Sequence, residues 1–190
     1  MLRRSFFCLQ FFLIGFFAQA QGESQLHIGV GSLSDFYPLN YNGKIYQATA
    51  LGAGVRIGFE KEWKQLGSGH FNIGGIVSFG KSTGTYGIPG HRVQLTWTHV
   101  VCAARLVYVY PYNEDLNFYG GLHLGLDSKS YQEHYLGGIP SGTIQQSIGK
   151  LFPYGGMIVG ADYKLGRHYA IYSELGYDLL WFTLGIKSYL

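Results

Sequence analysis

After residue 20 this chain has no apolar run approaching the roughly 20 residues that a membrane-spanning helix needs, so a helical membrane protein is excluded. Cysteine is almost missing. There are two, and with Cys8 in an N-terminal segment read below as removed, Cys102 stands alone and no intramolecular disulfide can form, even in an oxidising compartment. Charge is scarce as well, at 13% of residues, and no basic stretch is dense enough to make a nucleic-acid patch. Nucleic acid is therefore excluded as a partner. The metal-binding spacings H-x-H, H-x-x-H and Cys-His are absent, so no metal or other cofactor is expected. What is abundant instead is glycine, at 29, with 16 tyrosines and 13 phenylalanines.

The N-terminus has the three parts of a secretory signal. Arg3 and Arg4 form the basic region, Phe6 to Phe17 the apolar region, and Ala18-Gln19-Ala20 an A-x-A cleavage site. The apolar run is shorter than a spanning helix, is broken by Gln10 and ends in small residues, so a cleaved signal over 1–20 is expected, with the mature domain over 21–190. Loss of Arg3 and Arg4 reduces 14 basic residues to 12, against 11 acidic ones. The mature chain is close to neutral.

The rest alternates strictly. In Leu116–Asp127 every even position is apolar or Gly, while the odd ones carry Asn, Tyr, Gly, His and Asp. Leu51 to Glu60 and Phe71 to Gly80 repeat the pattern. A period of two marks a strand with two unlike faces, and these runs of about ten residues match transmembrane strands, not the shorter strands of soluble sandwiches. Eight segments are read: 25–34, 47–60, 69–82, 93–110, 116–127, 153–165, 168–178 and 181–190. Only helices and closed barrels leave no unpaired backbone in hydrocarbon. The expected fold is therefore all-β, an eight-stranded antiparallel up-and-down transmembrane β-barrel.

Connectors 61–68, 111–115 and 166–167 are short to moderate and 35–46, 83–92 and 128–152 longer, which places both termini on the periplasmic side and the longer set outside. The stretch 128–152, with Tyr131, Tyr135, Gly137, Gly138 and Pro140, is the longest external loop expected. In 93–110 the apolar residues change parity, from Leu95 and Trp97 to Ala104, Leu106 and Tyr108. That calls either for a bulge or, as preferred here, for an upper part standing above the bilayer.

Arg56, Glu60, Arg105, Asp127, Asp162, Lys164, Glu174 and Lys187 all fall opposite the Leu, Ile, Val and Phe series. A basic residue facing lipid at mid-bilayer costs about 2–4 kcal/mol, so the charged face is the lumen, and four charges of each sign predict ion pairs that plug it. Glu60, Asp127 and Lys164 are the ones expected nearest water at strand ends. Aromatics near strand ends, including Tyr108, Tyr110, Phe118, Tyr154, Tyr169, Tyr177, Phe182 and Tyr189, suit an interfacial girdle.

The final segment, Trp181 to Leu190, resembles the C-terminal strand of small outer-membrane barrels, with Thr183 and Gly185 as its polar-x-Gly part and Tyr189 and Leu190 at the end. The usual terminal Phe is Leu190 here. With the signal and the eight segments, the mature length resembles the OmpA/OmpX-type family. The resemblance implies a monomer in the bacterial outer membrane, in contact with its lipid and inserted by the barrel-assembly machinery that reads Thr183, Gly185, Tyr189 and Leu190.

That resemblance leaves function open among a non-enzymatic structural or surface-interacting barrel, a conduit or binder for small hydrophobic molecules, and a lipid-modifying enzyme. The first is preferred, with a surface partner reached through the external loops, and no catalytic residue is assigned. His27, His70 and His123 lie on lumen faces and read as polar filler. His99 is the nearest candidate for a barrel hydrolase working at the outer surface, but the H-x-S arrangement is absent. Gly52-Ala53-Gly54 lies inside an alternating strand with no helix after it, and is a strand element, not a phosphate loop.

Overall fold

A computed structural model of the chain describes residues 22–41, 44–88, 91–135, 143–146 and 151–190. The signal segment 1–20 and the loop residues Gly137, Gly138 and Pro140 lie outside the described residues.

The strands are β1 (Ser24–Tyr41), β2 (Lys44–Leu66), β3 (Gly69–Ile88), β4 (His91–Pro111), β5 (Leu116–Tyr135), β6 (Thr143–Gln146), β7 (Leu151–Lys164), β8 (Tyr169–Tyr177) and β9 (Phe182–Tyr189). Eight of them close a ring. Each pairs antiparallel with the next, β5 passes directly to β7, and β9 returns to β1. Short β6 pairs only with the upper part of β5. Chain ends meet where the ring closes, with Leu190 N donating to Ser24 O at 2.8 Å.

The period of two sets the two faces. On β1, Gln25 and His27 point inward and are buried, while Leu26, Ile28 and Val30 point outward and are exposed. Equivalent outward residues on the other strands, such as Val55, Ile57, Val77, Leu122, Leu124, Val159, Leu184 and Ile186, complete an apolar belt. Such a continuous exposed belt on a closed sheet is stable only in lipid. At one end the turns are tight: Gly67 adopts φ 63°, which favours Gly, and Asn113 Oδ1 accepts from Asp115 N at 3.0 Å and Leu116 N at 2.7 Å.

At the opposite end the wall is uneven, and here the expected boundaries need correction. β1 to β5 run 18, 23, 20, 21 and 20 residues, whereas β8 and β9 have 9 and 8. Stretches 35–46 and 83–92, expected as loops, are mostly strand, because inter-strand pairing continues past the belt up to Tyr41↔Lys44 and Ile88↔His91. Likewise 128–152 begins as strand up to Tyr135 and contains β6. A strand of 9 residues rising about 3.3 Å per residue at a tilt of about 40° stands roughly 23 Å tall, about the height of the hydrocarbon band. The β8–β9 wall thus ends at the membrane surface, and β1 to β5 rise beyond it as a curved sheet.

β4 pairs with both neighbours without any register shift. Leu95, Trp97, His99, Val101, Ala103, Arg105, Val107 and Val109 are all buried on one face. Parity of burial never changes; what changes along β4 is the chemistry of the lumen. The bulge lies elsewhere, on β2 between Glu62 and Lys64.

Candidate functional site

Inside the ring the inward side chains form a continuous ionic layer. Glu174, from β8, is its centre: Oε2 accepts from Arg56 Nη1 at 3.0 Å and Arg105 Nη1 at 3.2 Å, while Oε1 accepts from Arg105 Nη2 and, at 3.1 Å, from Tyr119 Oη. Arg56 also donates to Ser78 Oγ at 3.1 Å. Glu60 Oε1 lies 2.5 Å from Arg105 Nε and 3.2 Å from His27 Nε2, as charge contacts without hydrogen-bond alignment. Lys187 donates to Asp162 Oδ2 at 2.8 Å, with its ammonium 4.0 Å from the Tyr119 ring centre, and Asn117 donates to the other Asp162 oxygen at 2.8 Å. Buried charge is tolerated only when paired in this way. An eight-stranded barrel is narrow enough for such side chains to fill it.

Above that layer the four-residue β8–β9 connector, 178–181, folds into the barrel instead of rising from it. Asp178 Oδ2 accepts from Arg56 Nη2 at 2.7 Å and lies 3.0 Å from His123 Nδ1. Its other oxygen accepts from Leu180 N at 2.9 Å, and Leu179 N donates to Tyr154 Oη at 3.1 Å. Leu179 and Leu180 are buried against Leu33, Ile76, Val101 and Ala103, which come from β1, β3 and β4. On the outer face of the paired β7–β8 wall, beside Trp181 of the same turn, lies a shallow, open apolar groove of about 390 Å³, lined by Met157, Val159, Leu175, Tyr177 and Trp181 with inward-facing Ile158 behind them. Beyond Met157↔Tyr177 β7 has no β8 partner, and beyond Ser32↔Phe182 β1 has no β9 partner. The turn therefore closes a notch in the wall.

No family profile and no curated protein matches the chain. Among solved structures, the outer membrane protein OprG from Pseudomonas aeruginosa is similar at 13% identity with a TM-score of 0.53, over 90% of this chain and 97% of that one. The chain has the fold of the small outer-membrane β-barrels. Ail, the attachment invasion locus protein of Yersinia pestis, aligns at 17% identity and a TM-score of 0.44 over 89% of this chain and 95% of its own. Neisserial surface protein A aligns at 13% and 0.42 over 89% and 94%.

In this outer-membrane barrel fold the charged residues singled out from sequence do not act as one group. Arg56, Glu60, Arg105, Asp162, Glu174 and Lys187 are buried and joined. Glu60, expected near water, is instead central, because its register opposite Gln25 and Gly74 keeps it inside the wall. Asp127 is buried but sits higher, 3.3 Å from His99 Nδ1 and 3.4 Å from Lys129 Nζ. Lys164 is half-buried at the rim, its ammonium 5.9 Å from the Tyr189 ring centre.

His99 is enclosed in the lumen, not placed on the outer surface where the hydrolase reading needed it. Of the other lumen histidines, His27 and His123 are fully buried and His70 is half-buried. Among the described residues no three His, Cys, Asp or Glu side chains are grouped to hold a metal. Cys102 is exposed on the outer face.

Two of the girdle aromatics belong to the interior: Tyr154 holds the turn, and Tyr189 Oη donates to Asp162 Oδ1 at 3.4 Å. Tyr110, Phe118, Tyr169, Tyr177 and Phe182 are outward and exposed, while Tyr108 is half-buried with its hydroxyl donating to Leu66 O at 3.1 Å. On the C-terminal strand Thr183 is buried, Gly185 and Tyr189 are half-buried and Leu190 is exposed.

Asp178 is missing from the lumen charges read from sequence, although it ends the segment 168–178 with the parity of Glu174; the structure ends β8 at Tyr177 and places Asp178 in the connector. Residues 75–82 also spell the phosphate-loop pattern G-x-x-x-x-G-K-S. The structure places them within unbroken β3, paired on both sides. No helix follows, and the match is coincidental.

Proposed function

We propose that the mature chain is a non-enzymatic integral protein of the bacterial outer membrane, with a sealed lumen, acting through the part that β1 to β5 raise above the bilayer. The observation that carries this reading is the pairing of a charge-filled interior with strands of 18 to 23 residues, twice the length needed to span. Strand extended into water adds nothing to insertion and offers a rigid surface to a partner. Arg56, Glu60, Arg105, Asp162, Glu174 and Lys187 serve as the structural plug. Thr183, Gly185, Tyr189 and Leu190 serve as the signal to the barrel-assembly machinery, with lipid around the monomer. Planar-bilayer recording of refolded protein tests the seal: silence or rare small events are expected, and a large stable conductance in most insertions would sink it.

A second reading, a binder of small apolar molecules, is favoured by the groove beside the inward turn, which opens on the lipid-facing side of the wall.

A further inference from the structure

Taken as chemistry, the β8–β9 turn has the parts of a ligand. It presents a carboxylate, Asp178, to a guanidinium and an imidazole, those of Arg56 and His123. Immediately after that carboxylate it presents two aliphatic side chains, Leu179 and Leu180, to a buried apolar cluster of Leu33, Ile76, Val101 and Ala103. A charged head beside an apolar tail, each in a matching environment, describes an anionic amphiphile.

Position agrees with composition. The turn stands where the short β8–β9 wall ends, at the membrane surface, and the apolar groove lined by Met157, Leu175 and Trp181 lies beside it on the outer face of the wall. An amphiphile in the outer leaflet keeps its head at that level and its chain in the groove. The groove lies on the paired top of the β7–β8 wall, and directly above it β7 beyond Met157 and β1 beyond Ser32 lack partners on this side, so at that level the turn stands between the outer surface and the internal cluster.

Exchange of one carboxylate for another also leaves the charge balance intact. Asp178 gives Arg56 a second carboxylate beside Glu174 and gives His123 its own, so displacing it without a substitute would take a partner from both, which is costly in a buried network. An incoming carboxylate supplies that partner.

We infer that the turn 178–181 occupies, as an internal stand-in, a binding site for a single-chain carboxylate amphiphile that enters from the outer leaflet and displaces it. This rests on the binder reading above and narrows it to a head group, a chain and an entry point. Binding is then autoinhibited, and weakening the turn strengthens it.

The test uses the full mature protein in phospholipid nanodiscs, with dodecanoate as probe, dodecanol as the uncharged control and empty nanodiscs as blank, measured by equilibrium dialysis. Asp178→Asn loosens the head contact and Leu180→Ala removes part of the tail, so each is expected to bind dodecanoate about ten-fold more tightly than the wild type, about 1.4 kcal/mol. Dodecanol should show no saturable binding beyond the blank. Folding of each variant is checked by its heat-shifted gel band, and the two variants act through different contacts, so one that misfolds leaves the other decisive. Two folded variants that bind no more tightly than the wild type overturn the inference. Equal binding of dodecanol and dodecanoate also overturns it while leaving the broader binder reading standing; binding of neither removes both.

Discussion

Glu174 on β8 and Arg105 on β4 meet across the lumen through two hydrogen bonds, although β5 and β7 separate their strands in the wall. Arg56 reaches the same carboxylate from β2, on the other side of the ring. Three strands are thus tied at one point that no pair of neighbouring strands forms. Removing Glu174 leaves two guanidiniums buried against a single remaining carboxylate each. Glu174→Leu is expected to lower stability by about 3–5 kcal/mol, with Glu174→Gln retaining part of the loss because it still accepts hydrogen bonds. Urea titration of the refolded protein in detergent, followed by tryptophan emission, measures both, and a leucine variant within experimental error of wild type would contradict a central role for this carboxylate.

The seam between β1 and β9 offers a second test. A side chain at Gly29 would meet the Tyr172 hydroxyl and the Thr183 methyl, the latter at 2.7 Å. Both belong to the wall that must close onto β1. Gly29→Val should therefore impair closure, seen as loss of the compact unboiled gel band, while Gly67→Ala, at a turn with open space around it but positive φ, should keep the band and lose only about 1 kcal/mol. Equal behaviour of the two would mean that the seam tolerates bulk.

Orientation in the membrane is testable from whole cells. In a Cys102→Ser background, Thr85→Cys stands on the exposed upper part of β3 and Lys64→Cys near the tight-turn end of β2. A membrane-impermeant maleimide applied to intact cells should label the first and spare the second until the outer membrane is breached. The reverse pattern would invert the topology.

Export makes a fourth prediction: the protein recovered from outer membranes begins at Gln21. N-terminal sequencing that finds residues 1–20 retained there would show an uncleaved leader.

How far these features can be read from sequence depends on whether they are local. Alternation in Leu116–Asp127 is a property of consecutive residues, so it declared the strand, its two faces and its charged side without reference to any other part of the chain. The same local logic placed Arg56, Arg105 and Glu174 inside. It had no means to say that they converge, because the level at which β2, β4 and β8 present their side chains depends on the stagger between strands when the ring closes. His99 illustrates the limit: its face follows from parity, but its partner Asp127 comes from the offset between β4 and β5.

What the sequence alone determined was a two-faced strand repeated to an even count and a lumen-facing set of charges balanced in sign, both consequences of side-chain order along an extended backbone. Only the tertiary structure decided that β1 to β5 outrun β8 and β9, that Leu95 and Trp97 face inward above the ionic layer, and that the turn carrying Asp178 folds into the barrel. Pairing continues for as long as both partners supply backbone groups, and a connector turns inward when its charge and its leucines find partners there; the second outcome depends on residues more than a hundred positions apart, as Arg56 and Asp178 are.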